Sequence, residues 1–229
     1  MAIRPDRLAA AGSLVALLSS AALAGGPVAD ATSQAGPAAA TGDWSGYYAG
    51  LSVARPTGDT TWDLPRLAFS LLPDGWSGTL PTLTFGRDWQ RGRLTFGAAV
   101  SLSSGEISAA PQSDVFFSCI QCNTVVSDLM TLRGRAGLAS GRMHYFATGG
   151  LARADVAGTS GAGQTTVNSG SLTGWTLGLG LERRLGEHVS LSASYDHTDL
   201  GSITLDGHVP GTVADIDFGL MQIGVNYRW

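Results

Sequence analysis

Two thiols, four imidazoles and a handful of inward-patterned charges are the groups in this 229-residue chain with the chemical types for reactivity. Cys119 and Cys122 stand in Ser118-Cys-Ile-Gln-Cys-Asn123. A Cys-x-x-Cys pair can be a redox couple, half a zinc site or a small disulfide loop. Zinc needs about four ligands. There is no second cysteine pair, and His144, His188, His197 and His208 are scattered. A thioredoxin-like couple needs a βαβ context, which the pattern lacks. The expectation is a local disulfide, Cys119 to Cys122, in an exposed loop. Ser194, His197 and Asp199 are the residues close enough in sequence for nucleophilic catalysis. That chemistry needs the serine and histidine within hydrogen-bond reach of each other. On an extended strand, residues 194 and 197 point to opposite faces. No catalytic, cofactor or metal residues are therefore expected. The remaining chemistry is charge pairing. Arg133 and Arg135 are two apart and share a face on a strand. A guanidinium cannot shed its proton, so these two need carboxylates. Glu182 and Asp196 are expected to supply them.

The rest of the composition says what kind of frame holds such charges. The chain has 14 basic residues, all Arg, and 18 acidic ones, for a net charge of −4. No basic run offers a phosphate footprint, so nucleic acid is not an expected partner. Charged residues are 14% of the chain, against ~25% in an average soluble domain. There are 32 glycines, about twice the usual share. Hydrophobic content is an ordinary 44%. Disorder needs low hydrophobicity and high charge, so this is a β protein with close-packed backbone, or one whose surface does not face water.

Residues 1–24 read as a secretory signal. Arg4 and Arg7 precede a mostly apolar stretch from Leu8 to Leu18, and Ala22-Leu23-Ala24 is a small-residue cleavage site. The apolar stretch is shorter than the ~20 residues of a membrane-spanning helix. Residues 25–43 are rich in Ala, Gly, Pro and Thr without periodicity, the composition of a flexible linker.

From Trp44 onward the period is two. Leu94, Phe96, Ala98, Val100 and Leu102 alternate with Thr95, Gly97, Ala99, Ser101 and Ser103. Met221, Ile223, Val225, Tyr227 and Trp229 alternate with Gln222, Gly224, Asn226 and Arg228. Six further segments behave alike, so eight strands are expected. Tight Gly-containing turns at 90–93, 139–142 and 185–188 join them in pairs. Long connections near 55–78, 104–126, 155–171 and 200–216 do the rest. Alternating short and long connections are the mark of outer-membrane barrels, with short periplasmic turns and long outer loops.

The polar-side positions are mostly Gly, Ala, Ser and Thr, with isolated charges at Asp88, Arg133, Arg135, Glu182, Arg184 and Asp196. An eight-stranded barrel filled by its own side chains would look like this. The apolar face then meets lipid, and strands of about 10 residues suffice to cross. A soluble lipocalin-like barrel shares the strand pattern, and the end of the chain decides against it. Gln222, Gly224, Tyr227 and Trp229 resemble the C-terminal assembly signal of bacterial outer-membrane barrels.

Five further segments, in order, are similar to the opacity-type porin family, which includes the outer-membrane immunogenic proteins. They are Asp43-Trp-Ser-Gly-Tyr-Tyr-Ala-Gly-Leu51, Thr131-Leu-Arg-Gly-Arg-Ala-Gly137, Tyr145 with Thr148-Gly-Gly-Leu-Ala152, Gly174-Trp-Thr-Leu-Gly-Leu-Gly-Leu-Glu182, and Leu191 to Gly201. One departure matters. Where the family's seventh strand carries inward Glu and Arg, this chain has Ser194 and Asp196, so any lumenal salt network is rewired.

The resemblance implies an all-β, eight-stranded antiparallel transmembrane barrel over residues 44–229, in the outer membrane of a Gram-negative bacterium. The expected partners are outer-membrane lipid, lipopolysaccharide and the barrel assembly machinery. The expected role is non-enzymatic: envelope structure and surface-loop interaction, with a ligand the sequence does not name. A narrow diffusion pore and an envelope enzyme such as a lipid A deacylase are the alternatives. Leu71, Leu72, Trp76, Phe116 and Phe117 are apolar residues expected at loop tips. There they could touch a partner, pack on the rim or join an aromatic belt.

Overall fold

A computed structural model describes residues 42–59, 61–64, 69–71, 75–109, 123–160, 165–205 and 212–229. The signal segment, residues 25–41 of the linker and the Cys119–Cys122 pair lie outside these residues, as do Leu72, Phe116 and Phe117.

The described chain is all β. Eight strands carry the architecture: β1 (Gly46–Thr57), β5 (Leu80–Arg91), β6 (Leu94–Ser103), β8 (Asn123–Ser140), β9 (Met143–Ser160), β10 (Thr165–Arg184), β11 (Val189–Leu205) and β12 (Thr212–Arg228). Each pairs antiparallel with the next, and β1 pairs with β12 from Tyr48↔Arg228 to Thr57↔Gly219. The sheet is therefore a closed ring with β1 beginning and β12 ending at one rim. Closure leaves no edge among these eight, which is what lets a sheet sit in lipid. Four short strands decorate the opposite end: β2 (Thr61–Leu64), β3 (Phe69–Leu71), β4 (Ser77–Gly78) and β7 (Glu106–Ala109).

The three tight turns lie at the first rim, the turn end. Gly92 (φ 63°) and Gly141 (φ 57°) open two-residue turns, a conformation that glycine adopts without steric cost. At the other end, the loop end, the strands run further than the alternation suggested. The expected connections 155–171 and 200–216 are largely strand. β9 reaches Ser160 and β10 starts at Thr165, while β11 reaches Leu205 and β12 starts at Thr212. The connections 55–78 and 104–126 likewise hold the four short strands and the start of β8.

The reason is a change of phase. In the turn half, outward positions are apolar: Met221, Ile223, Val225 and Tyr227 on β12 are exposed, and Asn226 and Arg228 are buried. In the loop half of the same strand, Ala214, Ile216, Phe218 and Leu220 are buried, while Asp215 and Asp217 face out. The swap falls at Leu220-Met221. On β9 it falls at Leu151-Ala152, since Leu151 is exposed while Ala152, Ala154 and Val156 are buried. On β8 and β11 irregularities accompany it. Register shifts occur between Ser127 and Met130, where Asp128 has φ 50°, and between Asp199 and Ser202, where Gly201 has φ 81°. An extra residue in one strand is the usual content of such a shift.

The barrel thus has two interiors. The loop half holds an apolar core of Trp76, Leu80, Ile107, Val126, Leu129, Val156, Leu200, Ile203, Ile216, Phe218 and Leu220 with small alanines. Trp76, expected at an exposed loop tip, is 6% exposed. Its ring meets Phe218 edge-on at 5.4 Å, and its indole N–H donates to the Asp217 carbonyl at 3.1 Å. Burying such a ring outweighs exposing it, since large apolar side chains contribute about 1.5–3 kcal/mol each. The turn half holds the charges.

Candidate functional site

The lumenal charges form two layers. The layer nearer the turn end is built on Arg135 of β8. Its Nη1 donates to Asp88 Oδ2 at 3.2 Å and its Nη2 to Glu182 Oε2 at 2.6 Å. Arg228 of β12 donates from Nη2 to the same Asp88 oxygen at 2.9 Å and lies 3.7 Å from Glu182 Oε1. The Ser190 hydroxyl donates to Glu182 Oε1 at 2.5 Å. Arg135 also stacks over the Phe146 ring at 3.7 Å. His144 lies beside it, with Nδ1 3.3 Å from Arg135 Nη2 and Nε2 2.6 Å from the Thr95 hydroxyl.

The second layer centres on Asp196 of β11. Its Oδ1 accepts from Arg133 Nη1 at 2.8 Å and from Thr148 at 3.1 Å. Its Oδ2 accepts from Ser194 at 3.2 Å and from Gln222 Nε2 at 3.1 Å. Arg133 Nη2 donates to Ser101 at 3.0 Å. Three carboxylates therefore balance three guanidinia inside the wall, the arrangement that buried charge requires.

The glycine-rich backbone makes the room. Asp88 pairs with Gly97 and Asp196 with Gly178 across the ladder. A Cβ at either glycine would land on the carboxylate opposite. Tyr48 and Phe146 lie likewise over Gly86 and Gly180.

Of the four residues singled out in the sequence, Arg133 lies against Asp196 and Arg135 against Glu182. Asp88, Arg228 and His144 complete the set. Parity was the available signal for them: Asp88 shares a face with Thr82, Thr84 and Gly86, and Arg228 with Gln222, Gly224 and Asn226. Trp44 carried no such signal because it precedes β1. It is fully buried beneath the charge layer, under the Arg184 and Arg228 guanidinia at 4.7 and 5.4 Å and 5.1 Å from the His144 ring. Its carbonyl accepts from Arg228 Nη1 at 2.6 Å, and its N–H donates to Gln90 at 2.7 Å. The described fold thus reaches back to Gly42 and Asp43, the last two residues of the expected linker. The Asp43 carboxylate accepts from the Ser45 N–H at 2.9 Å, and this bond holds it below the usual carboxylate range.

Between the two charge layers lies a cavity of about 60 Å³, lined by residues that include Tyr48, Ser52, Arg133, Arg135, Thr148 and Gln222. Neither Trp44 nor any residue of the apolar core lines it.

The other candidates stay apart. Ser194 points in and is hydrogen-bonded to Asp196, whereas His197 is outward with its ring 5.5 Å from Trp175. Gln222 and Gly224 face the lumen. Tyr227 and Trp229 are exposed on the outer wall at the turn end, where Trp229 lies 6.1–6.3 Å from Tyr227, Phe85 and Tyr47.

A closed eight-stranded ring with an apolar outer band, aromatic residues at its turn-end rim and a charge-balanced lumen is an integral outer-membrane β-barrel. The chain belongs to the outer membrane protein beta-barrel domain family, whose model it matches over residues 14–228. It is 26% identical over 152 residues to the 31 kDa outer-membrane immunogenic proteins of Brucella melitensis and Brucella suis. The match covers 63% of this chain, and the chain spans 63% of the length of those relatives. Among solved structures, the outer membrane protein OprG of Pseudomonas aeruginosa superposes with a TM-score of 0.58 at 12% identity, covering 82% of this chain and 98% of that one. Neisserial surface protein A gives 0.46 at 13% identity, covering 81% and 98%. The protein is thus of the Gram-negative outer membrane, and its turn end is the periplasmic one.

Proposed function

We propose that this chain is a non-enzymatic, non-conducting barrel that serves envelope structure and presents its extracellular end to partners. The supporting observation is the double obstruction of the lumen. Trp44 and the Arg135–Asp88–Glu182–Arg228 cluster fill the periplasmic side, and the apolar core fills the extracellular side. An eight-stranded ring has an interior only wide enough for side chains. Conductance in planar bilayers tests the reading. The purified barrel is expected to give no discrete current steps, and neither is the Trp44→Ala variant, because the apolar core stays in place. Unitary steps from the wild-type protein would establish the narrow-pore alternative instead.

The separation of Ser194 from His197 argues against a lipid A deacylase on this scaffold. In this reading the chain is exported by a signal cleaved near Ala24. Gln222, Gly224, Tyr227 and Trp229 then address it to the barrel assembly machinery, and its wall meets lipid and lipopolysaccharide. Trp229→Ala is expected to lower the yield of folded barrel in outer-membrane fractions at equal expression, read by heat-modifiable gel mobility. Unchanged yield would separate Trp229 from assembly.

A further inference from the structure

Arg87 is a cation on the lipid-facing wall without a carboxylate partner among the described residues. It points outward from β5 between apolar neighbours, with Phe85 and Trp89 two residues to either side and exposed. Its guanidinium lies 4.7 Å from the Tyr47 ring centre and 5.0 Å from that of Trp89, and Nη1 donates to the Tyr47 hydroxyl at 3.0 Å. One edge of the planar fork is held and the rest is open. An arginine among aromatics on a membrane wall cannot deprotonate. An anion at headgroup depth would stabilise it there.

The surroundings say which leaflet. Arg91, Arg93, Arg142 and Arg183 are exposed at the same periplasmic end, against the exposed carboxylates of Asp43 and Glu187. The outer wall at the extracellular end has the opposite bias. There Arg55 and Arg153 stand among Asp59, Glu106, Asp128, Asp155, Asp199, Asp215 and Asp217. The basic excess at the periplasmic rim draws anionic headgroups to that side.

We propose that Arg87, clamped by Tyr47 and Trp89, binds the phosphate of an anionic phospholipid in the inner leaflet of the outer membrane. The guanidinium takes the phosphate oxygens through its free edge, which matches their geometry. The aromatic rings take the glycerol and upper acyl segment. This rests on the membrane placement of the barrel and not on its failure to conduct.

The test is native mass spectrometry of the full chain in mild detergent with phosphatidylglycerol or phosphatidylcholine of identical acyl chains. The wild-type barrel is expected to retain phosphatidylglycerol preferentially, and added inorganic phosphate should not displace it. Arg87→Gln is expected to weaken retention about tenfold or more, the loss that follows removal of a charge-assisted hydrogen-bonded partner. Arg93→Gln, at the turn, should leave it intact. Folding of each variant is checked by heat-modifiable mobility. If Arg87→Gln does not fold, Tyr47→Phe and Trp89→Leu take its place, and each should weaken retention. Equal retention by Arg87→Gln, or by both substitutes, would overturn the proposal. So would displacement by phosphate, or an equal loss in Arg93→Gln, which would mean a diffuse rim field and not a site.

Discussion

Replacing Glu182 with alanine is expected to destabilise the barrel by about 3–5 kcal/mol, the cost of removing one member of a buried charged set and stranding the others. Glu182 is fully buried and receives Arg135 at 2.6 Å and Ser190 at 2.5 Å, with Arg228 at 3.7 Å. Without it, two guanidinia share Asp88 alone, and their mutual repulsion is no longer offset. Compensation by solvent is poor, because Trp44 closes the near side of the layer. The control is Ser192→Ala, which removes one half-buried hydroxyl donating to the Gly224 carbonyl at 3.2 Å. It should cost only about 1 kcal/mol. Urea unfolding in detergent, followed by tryptophan fluorescence, compares them. If the Glu182→Ala midpoint matches that of Ser192→Ala, the network contributes no more than ordinary polar packing.

Phe218→Ala should be as costly overall, about 3–5 kcal/mol for a fully buried ring, but in a different place. Phe218 is 1% exposed, in the apolar core of the loop half against Trp76. Its removal leaves a cavity in a part of the barrel that lipid does not clamp. The extracellular half should therefore open locally while the membrane half persists. Limited proteolysis of intact cells is expected to cut the variant in its extracellular half, and the trimmed barrel should keep heat-modifiable mobility. Protease resistance equal to wild type would mean that the extracellular core does not depend on this ring.

Much of this was legible in the alternation. The eight strands, their tight turns and the shared inward face of Arg133 and Arg135 follow from a period of two. The strand lengths were not, and the reason is physical. A strand that passes from lipid to water must exchange its apolar face for its polar one. On β12 that exchange puts Leu220 beside Met221, and counting alternation from the end of the chain makes it look like the end of a strand. Two apolar neighbours followed by a new alternation, Asp215 and Asp217 against Ala214, Ile216 and Phe218, were the readable signal. On β8 and β11 the irregularities at Asp128 and Gly201 shift the phase by one residue and blur it further. Trp44 was illegible for another reason: its burial comes from a chain segment turning under the barrel, and no periodicity encodes that.

The phase change also fixes a thickness. The outward apolar runs from Leu94 to Leu102, from Met130 to Leu138 and from Met221 to Trp229 each span eight residue steps. At ~3.3 Å per residue and a strand tilt of ~40°, each run covers about 20 Å of membrane normal, short of the ~25 Å band usual for such barrels. Beyond it the wall turns polar at once, so the protein cannot meet a thicker bilayer by rising or sinking. Acyl chains around it must shorten or splay to match. In a bilayer thicker than this band, each copy is surrounded by a ring of compressed lipid, and two copies that share a ring disturb less membrane than two apart. In such a bilayer the polarity of the wall would favour copies lying close together in the plane of the membrane without any contact between them.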